Sequence, residues 1–174
     1  PGTVGGRRAH PPKPEKIWIR KINRKERRKA IRSALNAATN LEIVKKRGHR
    51  VDYLPLVVES KIENINKTNE VEKILISLGL GKELERIKNK SIRAGRGKSR
   101  GRKYKRKKGP LIVISKDCPL CKSARNILGI DICFVKNLNA ELLAPGAIPG
   151  RLTIFTEDAI RLFDEKKLFL DENV

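Results

Sequence analysis

The sequence predicts an α/β fold: a mostly parallel sheet with helices on both faces, carrying an extended basic arm and a long basic loop. Three observations lead there. Four short apolar runs, LPLVV at 54–58, LIVIS at 111–115, IDICFV at 130–135 and LTIF at 152–155, have the length and continuity of strands buried on both faces. Helical patterns separate or follow these runs, and short strands alternating with helices make a covered parallel sheet. Finally, the formal charge of +22 is confined to two tracts, so the rest of the 174 residues can build an ordinary core.

Residues 1–14 (PGTVGGRRAHPPKP) hold three Gly and four Pro, a composition for an extended segment without a core of its own. Trp18 follows in KIWIRKI and is expected to anchor that segment to the body. A helix is predicted from Ile22 to about Leu41. Its apolar positions Ile31, Ala34, Leu35 and Ala38 keep helical spacing, and Arg24, Lys25, Arg27, Arg28 and Arg32 dominate the rest. Asn23 with Glu26 three residues later has the spacing of a capping box. Basic residues in that first turn oppose the helix dipole, a cost that makes sense with a phosphate nearby. After the first strand come helical patterns at 69–78 and 82–87. Between residue 87 and the strand at 111 lies a connection of more than twenty residues, a length that marks functional or disordered segments. Helices at 119–128 and 157–167 complete the pattern.

The charge is sharply localised. Residues 1–50 carry 16 basic and 3 acidic side chains, a net of +13, and residues 88–108 carry 12 basic and no acidic ones. Residues 51–87 come to −2, with 5 basic and 7 acidic, and residues 109–174 to −1, with 8 and 9. Cationic tracts beside a near-neutral core are the electrostatic footprint of a polyanion binder. Gly95, Gly97, Gly101 and Gly109 let the second tract follow an irregular surface, and Tyr104 could stack on a base. No run approaches the length of a membrane span, and no signal peptide is visible. The chain begins at Pro1 and contains no Met, the expectation for a fragment.

No catalytic or metal site emerges. RAGRGKSRGR precedes a strand, whereas a dinucleotide fingerprint follows one, and it lacks the order of a P-loop; GLGKEL at 79–84 fails because no strand leads into it. Cys118-Pro119-Leu120-Cys121 is the sharpest rival signal: it follows a strand and opens a helix, where a redox pair would sit and where a helix dipole lowers a thiol pKa. A thioredoxin-like reading leaves residues 1–110 unexplained. Zinc needs four ligands; Cys118, Cys121 and Cys133 supply three, and His10 and His49 lie far away in sequence. Cys133 is read as a core residue and the pair as incidental. A DNA- or chromatin-associated protein is the alternative binding class, without a helix-turn-helix to support it.

Four segments add a resemblance. GGRRAHPPK at 5–13, KINRKERRKAIRSALNAAT at 21–39, IRAGRGKSRGRKYKRKKGPLIV at 92–113 and NLNAELLAPGAIPGRLTIFTEDAI at 137–160 resemble, in order, the universal L-four family of large-subunit ribosomal proteins in its archaeal and eukaryotic form. The resemblance implies an α/β body bound to large-subunit ribosomal RNA, with an arm reaching toward the nascent-peptide exit tunnel. Residues 1–15 would be the returning base of that arm, and 16–174 the globular domain with 88–109 as an RNA-binding loop. The first strand, most of the arm and its tunnel-lining tip would lie upstream of this stretch. Expected partners are ribosomal RNA and neighbouring large-subunit proteins, in cytoplasmic ribosomes, with no enzyme activity, cofactor, membrane or homo-oligomer. The RNA contacts expected in the arm and first helix are Arg7, Arg8, His10, Lys13, Arg24, Arg27 and Arg28. In the loop they are Arg93, Arg96, Lys98, Arg100, Arg102, Lys103, Tyr104, Lys105, Arg106, Lys107 and Lys108. The CPLC pair is not a feature of that family.

Overall fold

The computed structural model describes residues 2 and 4–170. Pro1, Thr3 and 171–174, which the expected ranges 1–15 and 16–174 include, lie outside the described residues. Four parallel strands form the central sheet: β1 (Leu56–Val58), β4 (Leu111–Ile114), β5 (Asp131–Phe134) and β6 (Thr153–Thr156), side by side in the order β1-β6-β4-β5. These are the four apolar runs, each trimmed or shifted by one or two residues. β4 is wholly buried, so its alternating side chains feed two cores. Ile112 and Ile114 join Ile154 and Leu56 on one face, beneath α2 (Leu41–Lys46), α3 (Thr68–Leu75), α4 (Gly81–Lys88) and α5 (Leu120–Arg125). Leu111 and Val113 join Phe155 and Cys133 on the other, beneath α1 (Arg24–Thr39), α6 (Ala140–Leu143) and α7 (Glu157–Glu165). Helices therefore cover both faces, and Cys133 is a core residue.

Several local expectations change. The expected first helix is α1, ending at Thr39; a second, unexpected helix follows it, because Asn40 leaves helical geometry and its side chain accepts from the amides of Glu42 (3.0 Å) and Ile43 (3.3 Å), opening α2. Asn23 does precede α1, but its exposed side chain makes no capping hydrogen bond, so no capping box forms. Trp18 is not an anchor. It is 73% exposed, and its neighbour is Lys16 Nζ, 4.4 Å from the ring centroid. It belongs to neither hydrophobic core. Residues 4–22 hold no helix or strand and stay exposed, yet Gly5 and Gly6 take φ of 82° and 68°, so the chain turns there instead of running straight.

Candidate nucleic-acid interface

The basic tract is built outward from a rigid seam. Three cationic side chains meet at its exit. Arg86 on α4 donates through Nη2 to the Lys108 carbonyl (2.8 Å). Lys108 Nζ reaches Asp131 Oδ2 (2.9 Å) at the start of β5. Arg151, before β6, is 1% exposed; it donates to the Gly109 carbonyl (2.9 Å), the Leu142 carbonyl (2.9 Å) and Asp131 Oδ2 (2.6 Å). One planar guanidinium thus ties three chain segments together, a task for which a Lys ammonium lacks the geometry. Burial pushes the Asp131 carboxyl up, but bonds to Lys108 and Arg151 more than offset this and leave it below its ordinary range.

Behind Arg86 lies a buried carboxylate. Glu83 takes Arg86 Nε on Oε2 (2.8 Å) and Nη2 on Oε1 (2.6 Å), the Arg50 amide on Oε2 (3.0 Å), and His49 Nδ1 at 2.7 Å from Oε1. The His49 approach assigns the imidazole proton to Nδ1. Arg86 Nη2, 3.2 Å from that nitrogen, is then a neighbour and not a partner. Burial alone would raise the Glu83 pKa; the hydrogen bonds from Arg86, His49 and the Arg50 amide reverse that and bring it down to about 2. Sequence patterns give His49 no companion because Glu83 stands 34 residues away.

Backbone packing closes the seam. The Gly109 amide donates to the Gly129 carbonyl (2.9 Å), and the two glycines face each other across Ile87. A Cβ on Gly109 would overlap Ile87 Cδ1 and stand 3.0 Å from the Gly129 carbonyl oxygen; one on Gly129 would stand 2.9 Å from that of Lys107. Only residues without side chains fit both places.

Beyond the seam the tract is a small hairpin, not the featureless connection its composition suggests. β2 (Ser91–Ile92) pairs antiparallel with β3 (Tyr104–Lys105), and the Arg93 amide extends the ladder to the Lys103 carbonyl (2.8 Å). The apolar Ile92 and aromatic Tyr104 supply the strand propensity. A 3-10 turn over Arg96–Arg100 forms the tip, flanked by Gly95 and Gly101, both at φ 80°. All twelve basic side chains of 88–108 are solvent-facing, Arg96 near the tip included. Among the described residues only the two end members pair with acids: Lys88 with Glu72 (2.8 Å) and Lys108 with Asp131. Two lysines lie against the Tyr104 ring, Lys90 Nζ 4.1 Å from its centroid and Lys103 Nζ 5.6 Å.

The other expected contacts are distributed. Arg7, Arg8, His10 and Lys13 are exposed in the irregular segment, and Arg24 and Arg27 are exposed on α1. Arg28 is half-buried and donates to the Leu170 carbonyl (3.2 Å).

The cysteines do not form a comparable site. Cys118, Cys121 and Cys133 all border an open cleft of about 880 Å³, but Cys118 and Cys121 pack toward the α3–α5 core, whereas Cys133 packs into the opposite core and donates to the Phe134 carbonyl (3.2 Å). Among the described residues no group of three or more His, Cys, Asp and Glu side chains is placed to hold a metal. Burial, with Cys121 beside it, pushes the Cys118 thiol up to about 11, the reverse of the thiolate activation a redox pair requires. No helix among the described residues is long and apolar enough to cross a membrane.

A covered parallel sheet that projects a cationic hairpin, without acidic partners between Lys90 and Lys107 among the described residues, from a hydrogen-bonded seam defines a class: a basic α/β protein. The chain belongs to the ribosomal protein L4/L1 family, whose profile matches residues 1–166. Similar relatives carry the description large ribosomal subunit protein uL4. That of Nanoarchaeum equitans is 54% identical over 169 residues, covering 96% of this chain and 63% of its own length. That of Archaeoglobus fulgidus is 48% identical over 167 residues (95% and 66%), and that of Methanoculleus marisnigri 51% over 167 residues (95% and 66%). The chain thus spans a little under two thirds of the length of these relatives.

Proposed function

We propose that this chain is a structural constituent of the large ribosomal subunit that holds large-subunit ribosomal RNA near the nascent-peptide exit tunnel. The hairpin of 88–109 is its principal contact, residues 1–15 act as the base of an arm, and Arg24 and Arg27 of α1 add a second cationic face. The observation that carries this reading is the set of solvent-facing cations between Lys90 and Lys107 with no acidic partner among the described residues. Ten such charges within eighteen positions repel one another, and closely spaced phosphates relieve that repulsion while releasing counterions. Family membership supplies the ribosome as the source of those phosphates. Neighbouring large-subunit proteins complete the proposed surroundings, and no membrane or second copy of the chain is invoked.

Filter binding to large-subunit ribosomal RNA over a series of salt concentrations tests this. The expected result is tight binding at low salt, with log affinity falling steeply and linearly against log salt. Binding that ignores salt, or that is no tighter than to an acidic polypeptide of equal charge, would contradict it.

A further inference from the structure

The segment KIWIRKI plays no part in the fold described above. Ile17, Trp18, Ile19 and Ile22 are 85%, 73%, 86% and 69% exposed, and among the described residues no backbone hydrogen bond holds residues 17–22. An indole so exposed within a run of large apolar side chains marks a binding surface. Its sequence setting is electrostatically one-sided: Lys13, Lys16, Arg20, Lys21 and Arg24 flank it along the chain, and Glu15 is the one acidic residue between positions 13 and 24. Lys16 Nζ already lies 4.4 Å from the ring centroid. A flat π face among cations, on an irregular and unpaired backbone, is the chemistry of single-stranded nucleic-acid binding: the base stacks while its flanking phosphates meet the cations.

We propose that Trp18 is a base-stacking residue for single-stranded RNA, with Lys16, Arg20 and Lys21 contacting the phosphates on either side. This rests on the RNA reading above and adds to it. The hairpin grips phosphates whatever their base, whereas Trp18 requires an unpaired base it can reach. With Lys16 Nζ over the ring, the base would stack on the opposite face.

Trp18 is the chain's one tryptophan, so its emission reports on this site directly. The test pairs two readouts on the full chain: anisotropy of a labelled single-stranded oligoadenylate, and Trp18 emission with the unlabelled oligomer. The expected result is saturable quenching with the same midpoint as the anisotropy curve. A blunt RNA duplex should bind by anisotropy without quenching. Trp18→Ala should weaken oligoadenylate binding about 5- to 150-fold with an unchanged salt slope, and Trp18→Phe should recover most of the loss. Because Trp18 lies outside both cores, neither variant should alter the melting temperature. Binding without quenching, with Trp18→Ala equal to the parent, would overturn the stacking role while leaving the phosphate contacts standing. Absence of any oligoadenylate binding at low salt would overturn both. Emission that shifts to the blue with protein concentration alone would assign the indole to a protein contact instead.

Discussion

Between residues 107 and 109 the chain passes from one electrostatic regime into another. On the body side the charges of the seam are matched: Lys108 and Arg151 share Asp131, and Arg86 pairs with Glu83, which also takes a hydrogen bond from His49. On the hairpin side the cations from Lys90 to Lys107 face solvent with no acidic partner among the described residues. A buried charge must be satisfied within the fold, or it costs several kcal/mol. An exposed one can be left for a partner that arrives later. The contrast teaches that the number of cations does not reveal their role. Arg86 and Arg151 are structural, while Arg93 and Arg102 contribute little to holding the body together.

The largest expected break comes from the matched side. Glu83→Ala strands Arg86 and His49 and should lower the unfolding free energy in urea by about 3–5 kcal/mol. Glu83 also gives the seam a pH signature. Its folded pKa of about 2 lies below the usual 4.5, so the stabilisation it provides is complete above that usual value and is lost as pH falls. Stability of the parent should therefore decline between about pH 5 and pH 2, and a Glu83→Gln variant should show a shallower decline over the same window.

Next in size is the glycine contact. Gly109→Ala forces a methyl group into Ile87 and should cost about 1–3 kcal/mol in the same urea experiment. A variant as stable as the parent would show that the seam yields and would blur the boundary between the two regimes.

A smaller effect is expected at the CPLC pair. Replacing Cys118 and Cys121 together by Ser should change stability by no more than about 1 kcal/mol and leave RNA affinity unaltered. Metal analysis of the purified parent checks the same point: stoichiometric zinc, absent from the variant together with the fold, would give the pair a structural role that the described geometry does not supply.

The legible part of this molecule was the part encoded locally. Apolar runs such as LIVIS announced β4 and helical spacing announced α1, and the twelve cations of 88–108, with no acid among them, are visible in the sequence as the basis for the proposed polyanion contact. The seam was illegible because each of its contacts joins distant positions: His49 to Glu83, Arg86 to Lys108, Asp131 to Arg151. Nothing near Arg151 in sequence distinguishes it from a surface arginine. Trp18 failed for a related reason. An aromatic residue beside a Pro-rich segment suits an anchor, but whether body surface lies within reach is a tertiary fact. The short helix α6 was missed because four residues are too few for a periodic signal, although Asn139, whose side chain accepts from the Leu142 amide (2.8 Å), marks its start.

The most direct test of the division between seam and hairpin alters the hairpin alone. Arg93, Arg96, Arg100, Arg102 and Arg106 are replaced together by Gln, and the variant's ribosomal RNA affinity is followed across salt concentrations beside its melting temperature. An unchanged melting temperature is expected, with a plot of log affinity against log salt flattened by about 0.7–0.9 for each phosphate no longer neutralised. A lowered melting temperature with an unchanged slope would mean that these arginines serve the fold, and would contradict that division.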